Sequence, residues 1–175
     1  MKANHIFLIG FMGSGKSCVG ILLARTLSLP FADLDKLIVD SQGQSISSIF
    51  ETYGESYFRE LETRLLWQAL DAPPSVLALG GGTLVDSETH RNIRQHGLSV
   101  WLKVSAHEAL KRCNSETGRP LAQDPTKFMK LYEKRQPIYQ DCDFHVNVDK
   151  KLPESICREI VKRLKKAQIP WIKNT

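Results

Sequence analysis

Eight consecutive residues near the amino terminus, Gly10, Phe11, Met12, Gly13, Ser14, Gly15, Lys16 and Ser17, read GxxxxGK[ST]. That order of residue types suits a phosphate chain. Glycines let the backbone curl until successive N–H groups point inward at phosphate oxygens. Lys16 is placed to reach the β- and γ-phosphates of a nucleotide, and the Ser17 hydroxyl can ligate Mg²⁺. A helix opening near Lys16 adds the positive end of its dipole. The competing reading is a glycine-rich turn with an incidental lysine. The flanks speak against it: an apolar run precedes the loop, and Val19, Leu22, Leu23 and Leu27 follow at helical spacing. The loop implies a nucleotide and leaves the reaction open.

Three further groups could carry the rest of the chemistry. Asp33 and Asp35 stand two apart at the end of an expected strand. If still extended there, both carboxylates project to one side, near the crevice where open α/β sheets bind ligands. One could help hold hydrated Mg²⁺ while the other accepts hydrogen bonds from a substrate hydroxyl. Equally, Asp35 could simply cap the helix that follows. Arg59 is flanked by Glu55, Glu60 and Glu62, so taken alone it reads as one half of a surface ion pair. Gly80, Gly81 and Gly82 follow an apolar run; they allow a ligand to approach the backbone closely, or make a tight turn.

The elements that must position these groups alternate. Residues 5–10, 30–33, 76–79, 98–103 and 144–148 read as strands. Residues 16–28, 46–53, 55–70, 86–96, 105–113, 126–140 and a last stretch opened by Pro153 read as helices. Alternation of this kind predicts an α/β fold with a parallel sheet. Phe144, Val146 and Val148 alternate with polar residues, as on an edge strand. Residues 114–125 carry Gly118, Pro120 and Pro125 without an apolar period and read as a mobile flap. No repeat or linker divides the 175 residues, so one domain is expected.

The composition, 42% hydrophobic and 25% charged, is that of an ordinary globular protein. No apolar run reaches the eighteen residues or so of a membrane span, and no cleavage-site pattern follows the first apolar run; a cytoplasmic protein is expected. The net charge of +5 suits an anionic substrate and nucleic acid alike. Part of it lies in Lys162, Arg163, Lys165 and Lys166, best read as a solvated helix face; no aromatic residues interleave it as a nucleic-acid stacking platform would need. Cys18, Cys113, Cys142 and Cys157 have no metal-ligand spacing and are expected as free, buried thiols.

Taken together, GFMGSGKS, the DLD at 33–35, GESYFRELE, LGGG, GRPL at 118–121 and YEKRxPxY at 132–139 resemble, in order and spacing, the shikimate kinases. The resemblance runs from about residue 5 to residue 160. It implies a three-layer α/β P-loop kinase fold with five strands in order 2-3-1-4-5, a substrate-binding region at about 33–62 and a lid at about 112–125. It implies transfer of the γ-phosphoryl group of MgATP to the 3-hydroxyl of shikimate. Gly13, Ser14, Gly15, Lys16, Ser17 and Cys18 would contact the nucleotide, Arg112 would stack on adenine, and Lys151 and Pro153 would border it. Ser17 and Asp33 would serve the metal. Asp35 looks like the residue that orients the reacting diol. Arg59 and Arg135 look like the pair that grips the substrate carboxylate, beside Gly80, Gly81 and Gly82. Arg119 looks like a lid arginine that meets the transferring phosphoryl group, with Lys16 and Asp35 the other catalytic residues. A monomer acting on small molecules, with neither nucleic acid nor membrane as partner, is expected. The remaining alternatives are a kinase for another small hydroxy acid or a nucleotide, and a nucleotide-binding homologue without turnover.

Overall fold

Strand β1 (His5–Ile9) is buried at every residue, which is why its sequence shows no alternation. It lies at the centre of a five-stranded parallel sheet with β2 (Phe31–Asp33), β3 (Val76–Ala78), β4 (Gly97–Lys103) and β5 (Phe144–Asn147), in the order β2-β3-β1-β4-β5. This computed structural model describes residues 5–114 and 124–168. The expected fold class and strand order are those observed. Most of the proposed lid, Arg119 included, lies outside the described residues.

Helices α1 (Lys16–Leu27), α2 (Leu34–Gln42), α3 (Ile46–Leu70), α4 (Ser87–His96), α5 (Ala106–Asn114), α6 (Pro125–Tyr139) and α7 (Pro153–Lys166) connect and flank the strands. Helix α1 packs on β1 and β3 and against α7, burying Val19, Leu23 and Ala24. Helix α7 answers with Ile156, Ile160 and Leu164, the stripe that its sequence announces. Helix α3 holds both expected helical stretches in one element, bent at Gly54, whose φ of 80° and ψ of 176° leave the helical region. Only glycine takes such a conformation at little cost. The bend sets the direction of the second half, which carries Phe58 and Arg59.

Two expectations need correction. Cys113, Cys142 and Cys157 are buried, but Cys18 is exposed. It sits in the first turn of α1, while the buried face begins at Val19. Burial pushes the Cys142 thiol up to about 12, so this cysteine is chemically quiet near neutral pH. The second concerns Asp35. The chain turns helical at Leu34, so Asp35 lies in the first turn of α2, not on an extended strand, and it is Asp33 that caps the helix, accepting the Asp35 N–H.

The parallel register decides where function can gather. Leu8 and Asp33 both align with Ala78. The segments leaving β1, β2 and β3 therefore emerge side by side at one edge of the sheet, the edge at which α/β proteins bind ligands.

At the opposite end of β1, His5 is fully buried. Its Nε2–H faces the Leu70 carbonyl at 3.3 Å and its Nδ1 lies 3.0 Å from Ser75 Oγ, a set that suits the neutral ring. Burial, more than the opposing Leu70 hydrogen bond, lowers its pKa, and repulsion from His96 adds to this. A lowered folded-state pKa means stability that is full above the unfolded value, 6.5, and lost as pH falls through the folded one. We expect urea-unfolding free energy to drop as pH falls below about 6.5. In His5→Gln, which keeps a donor and an acceptor without titrating, that drop should shrink; an unchanged slope would remove His5 from the effect.

Candidate active site

The loop after β1 takes the curled form that its glycines permit. Gly13 and Gly15 have φ of 76° and 86°, and Gly15 is the N-cap of α1, so the helix begins at Lys16 with its N–H groups turned toward the loop. Lys16 Nζ donates to the carbonyls of Gly10 and Phe11 at 2.9 and 3.3 Å, which holds the ammonium over the loop. Helix α5 presses on its back: a β-carbon at Gly13 would stand 2.8 Å from the Ala109 carbonyl oxygen. Arg112 ties three elements together. It donates to the Gly13 carbonyl at 3.2 Å, to the Val148 carbonyl at 3.1 Å and to Glu108 Oε1 at 3.0 Å. Lys151 Nζ pairs with Glu159 at 2.8 Å, and Pro153 opens α7; both border the same cavity as the loop.

Beside the loop, Ser17 Oγ donates to Asp33 Oδ2 at 2.5 Å. A hydroxyl and a carboxylate held together are hard oxygen donors of the kind Mg²⁺ takes when phosphates supply its other ligands. Among the described residues no group of three or more His, Cys, Asp or Glu could hold a metal. A divalent ion at Ser17 and Asp33 would therefore complete its shell with nucleotide and water.

The three glycines after β3 bring the acceptor side together, because side chains press on each of them. A β-carbon at Gly80 would lie 2.8 Å from Asp35 Oδ1 and 3.1 Å from Glu62 Oε1; one at Gly81 would lie 3.4 Å from the Tyr139 hydroxyl; one at Gly82 would lie 2.9 Å from both terminal nitrogens of Arg59. Glu62 is 5% exposed. It accepts from Arg59 Nη1 and from Thr83 Oγ1, each at 2.7 Å. Arg59 also reaches Glu55 at 3.4 Å. The ion pairs suggested by its neighbours are thus real, but the principal one is internal. It fixes the guanidinium against the glycine turn, where Arg59 lines the cavity.

One cavity of about 810 Å³ is lined by the phosphate loop, Asp33 and Arg112 together with Asp35, Arg59, Glu62, Arg135 and the three glycines. Two buried side-chain atoms among the described residues have no hydrogen-bond partner: Ser14 Oγ and Arg135 Nη1. Both residues belong to this cavity. A guanidinium N–H buried without an acceptor is costly in the free protein, and a carboxylate placed there would satisfy it.

The model of the family described as shikimate kinase matches residues 12–165. The chain belongs to the shikimate kinase family. A shikimate kinase of a Sulfurihydrogenibium species is 40% identical over 93% of this chain and 99% of its own length. Among solved structures, shikimate kinase from Aquifex aeolicus is 36% identical with a TM-score of 0.80, covering 93% of this chain and 97% of its own. The Acinetobacter baumannii shikimate kinase, solved in complex with shikimate, is 29% identical with a TM-score of 0.89, covering 95% of each chain.

Within this shikimate kinase fold, Glu62, Thr83 and Tyr139 stand at the site although no role is legible for them in the sequence. Glu62 was visible only as one of three acids near Arg59, and nothing local marks it as the buried one. Tyr139 falls in the YEKRxPxY motif, with no sign of what its hydroxyl would meet.

The close contacts at the glycines differ in kind, and stability should report this. At Gly13 a β-carbon meets backbone and φ is positive, whereas at Gly82 (φ −104°) it meets the tip of the Arg59 side chain, which can move aside where backbone cannot. Gly13→Ala should lower Tm by roughly 4 °C or more, from at least about 1–2 kcal/mol of left-handed strain. Gly82→Ala should stay within roughly 2 °C of wild type. Differential scanning calorimetry of the two variants checks the contrast; equal losses would contradict it.

Proposed function

We propose that this chain transfers the γ-phosphoryl group of ATP to the 3-hydroxyl of shikimate, giving shikimate 3-phosphate and ADP in the route to aromatic amino acids. The observation that carries this reading is the shared cavity. A phosphate loop lines it together with two arginines and a carboxylate, and the Nη1 of Arg135 is unpartnered.

In the reaction the bond from the γ-phosphorus to the bridging oxygen of ADP breaks as the acceptor oxygen bonds to phosphorus, and the hydroxyl proton leaves. Phosphoryl transfer passes through a loose transition state, so the protein's work is positioning and charge neutralisation. Lys16 and the N-terminus of α1 meet the phosphate charge. Ser17 and Asp33 would hold Mg²⁺, which when bound neutralises charge on the phosphates. Asp35, in the first turn of α2 against Gly80, orients the acceptor diol and is placed to receive its proton. Arg59 and Arg135 grip the carboxylate by the planar, forked hydrogen bonding that suits guanidinium. Gly80, Gly81 and Gly82 admit the ring against bare backbone. Arg112, Lys151, Pro153 and Cys18 border the nucleotide. Arg119, outside the described residues, is assigned on the family resemblance alone to meet the transferring phosphoryl group, within a lid at about 112–125.

The same reading makes residues 1–175 one domain, with residues 33–62 as the acceptor-binding region. It describes a cytoplasmic monomer whose partners are ATP and shikimate, not nucleic acid or a membrane. No described helix is long and apolar enough to cross a membrane.

Arg59→Lys gives the most direct test of the acceptor assignment. Losing a charged, hydrogen-bonded partner costs roughly 2–3 kcal/mol, or about 30- to 150-fold. The KM for shikimate should rise by that order while the KM for ATP barely moves. Lys can keep one ion pair with Glu62 but cannot make a two-pronged contact to a carboxylate. If Arg59 served only as a partner for Glu55 and Glu62, Lys would substitute at a cost of roughly 0–1 kcal/mol. A near-normal shikimate KM in this variant would remove Arg59 from the site.

A further inference from the structure

Helix α6 carries Tyr132, Arg135 and Tyr139 at spacings of three and four, which put them along one face. Each tyrosine hydroxyl donates to a backbone carbonyl from another part of the fold. Tyr132 reaches Val104, just beyond β4, at 2.8 Å, and Tyr139 reaches Gly81 at 2.6 Å. Arg135 lies between these two anchors. Its own helix gives the last turn less than usual support. Pro137 lies inside α6 and has no N–H to donate to the carbonyl four residues back. Tyr139 is 1% exposed, its ring packed beside Trp101 at a centroid separation of 5.9 Å. A buried hydroxyl must find an acceptor, and the one it finds is the middle carbonyl of the turn that also receives Asp35 and Arg59.

We infer that Tyr139 is a positioning residue for the acceptor. By bonding to Gly81 it locks the last turn of α6 to the glycine turn and so fixes the placement of the Arg135 guanidinium relative to that of Arg59, which rests on Gly82. Two guanidinium groups on separate helices grip one carboxylate only if the gap between them is set, and no direct bond between Arg59 and Arg135 sets it. The hydroxyl of Tyr139 closes the path from Arg59 through Gly82 and Gly81 to α6 and Arg135. This inference rests on the proposed role of Arg135 and adds a residue that itself touches neither substrate.

A mutant cycle separates this role from a purely structural one. In Tyr139→Phe the ring stays and only the bond to Gly81 goes. The KM for shikimate should rise roughly 3- to 10-fold, the range of one lost hydrogen bond, with the KM for ATP unchanged. The same substitution in an Arg135→Ala background should add less than about twofold, because residues acting through one another are not additive. A tyrosine that only supports the fold would lower Tm and leave the ratio of the two KM values alone. It would add its full effect in either background, and either of those results overturns the inference. If Arg135→Ala alone left the shikimate KM at wild type, Arg135 would leave the site and the inference would fall with it. Raised KM in Arg135→Ala but not in Tyr139→Phe rejects only the positioning role. Should Tyr139→Phe be too unstable for kinetics, shikimate titration calorimetry in the cold on the same four proteins gives the same cycle through Kd.

Discussion

The backbone of residues 80–82 is approached so closely that a side chain at either end would collide. At Gly80 the carboxylates of Asp35 and Glu62 stand where a β-carbon would meet them, and at Gly82 the Arg59 guanidinium does. The acceptor half of the cavity depends on this constraint. Because the turn is bare, groups from α2, α3 and α6 converge on it from three directions. Each is then held by contact with the others: Arg59 by Glu62, Glu62 by Thr83, and Tyr139 by the Gly81 carbonyl. A site on rigid elements supported by such contacts holds a ligand in one geometry. Loose transition states reward that property in phosphoryl transfer.

The nucleotide half depends on a different constraint, the alignment of parallel strands. With Leu8 and Asp33 both level with Ala78, the phosphate loop, Asp33 and the glycine turn leave the sheet at one edge. The Ser17–Asp33 pair at 2.5 Å joins two of these exits. Buried and unpartnered atoms remain at Ser14 and Arg135. Each costs desolvation in the free protein.

Much of this was legible in the sequence wherever the signal was local or periodic. The loop pattern, the apolar runs of β1 and β4 and the stripe of α7 are properties of neighbouring residues. The two helical patterns at 46–53 and 55–70 were visible, though not that they form one element bent at Gly54. Contacts between elements were harder to read. The spacing of Asp33 and Asp35 left open whether the strand continued, and the chain turns helical at Leu34, so it is Asp33 that caps. Cys18 was expected inside because α1 is amphipathic, but the first turn faces the open side before the buried stripe begins. The burial of Glu62 could not be read from GESYFRELE, because its partner Thr83 lies 21 residues away on the far side of β3. A still greater separation, 58 residues, hides the bond between Tyr139 and Gly81.

The central claim is that the cavity couples a phosphate loop to a reader of one carboxylated polyol. Release of ADP, followed with shikimate, shikimate methyl ester, gluconate and AMP in parallel, tests it most directly. ADP release should be rapid with shikimate and slight with gluconate or AMP. With the ester, kcat/KM should fall by roughly 30-fold or more, the scale of one lost charged hydrogen-bonded contact. Equal turnover of ester and acid, or faster release with AMP than with shikimate, would contradict it.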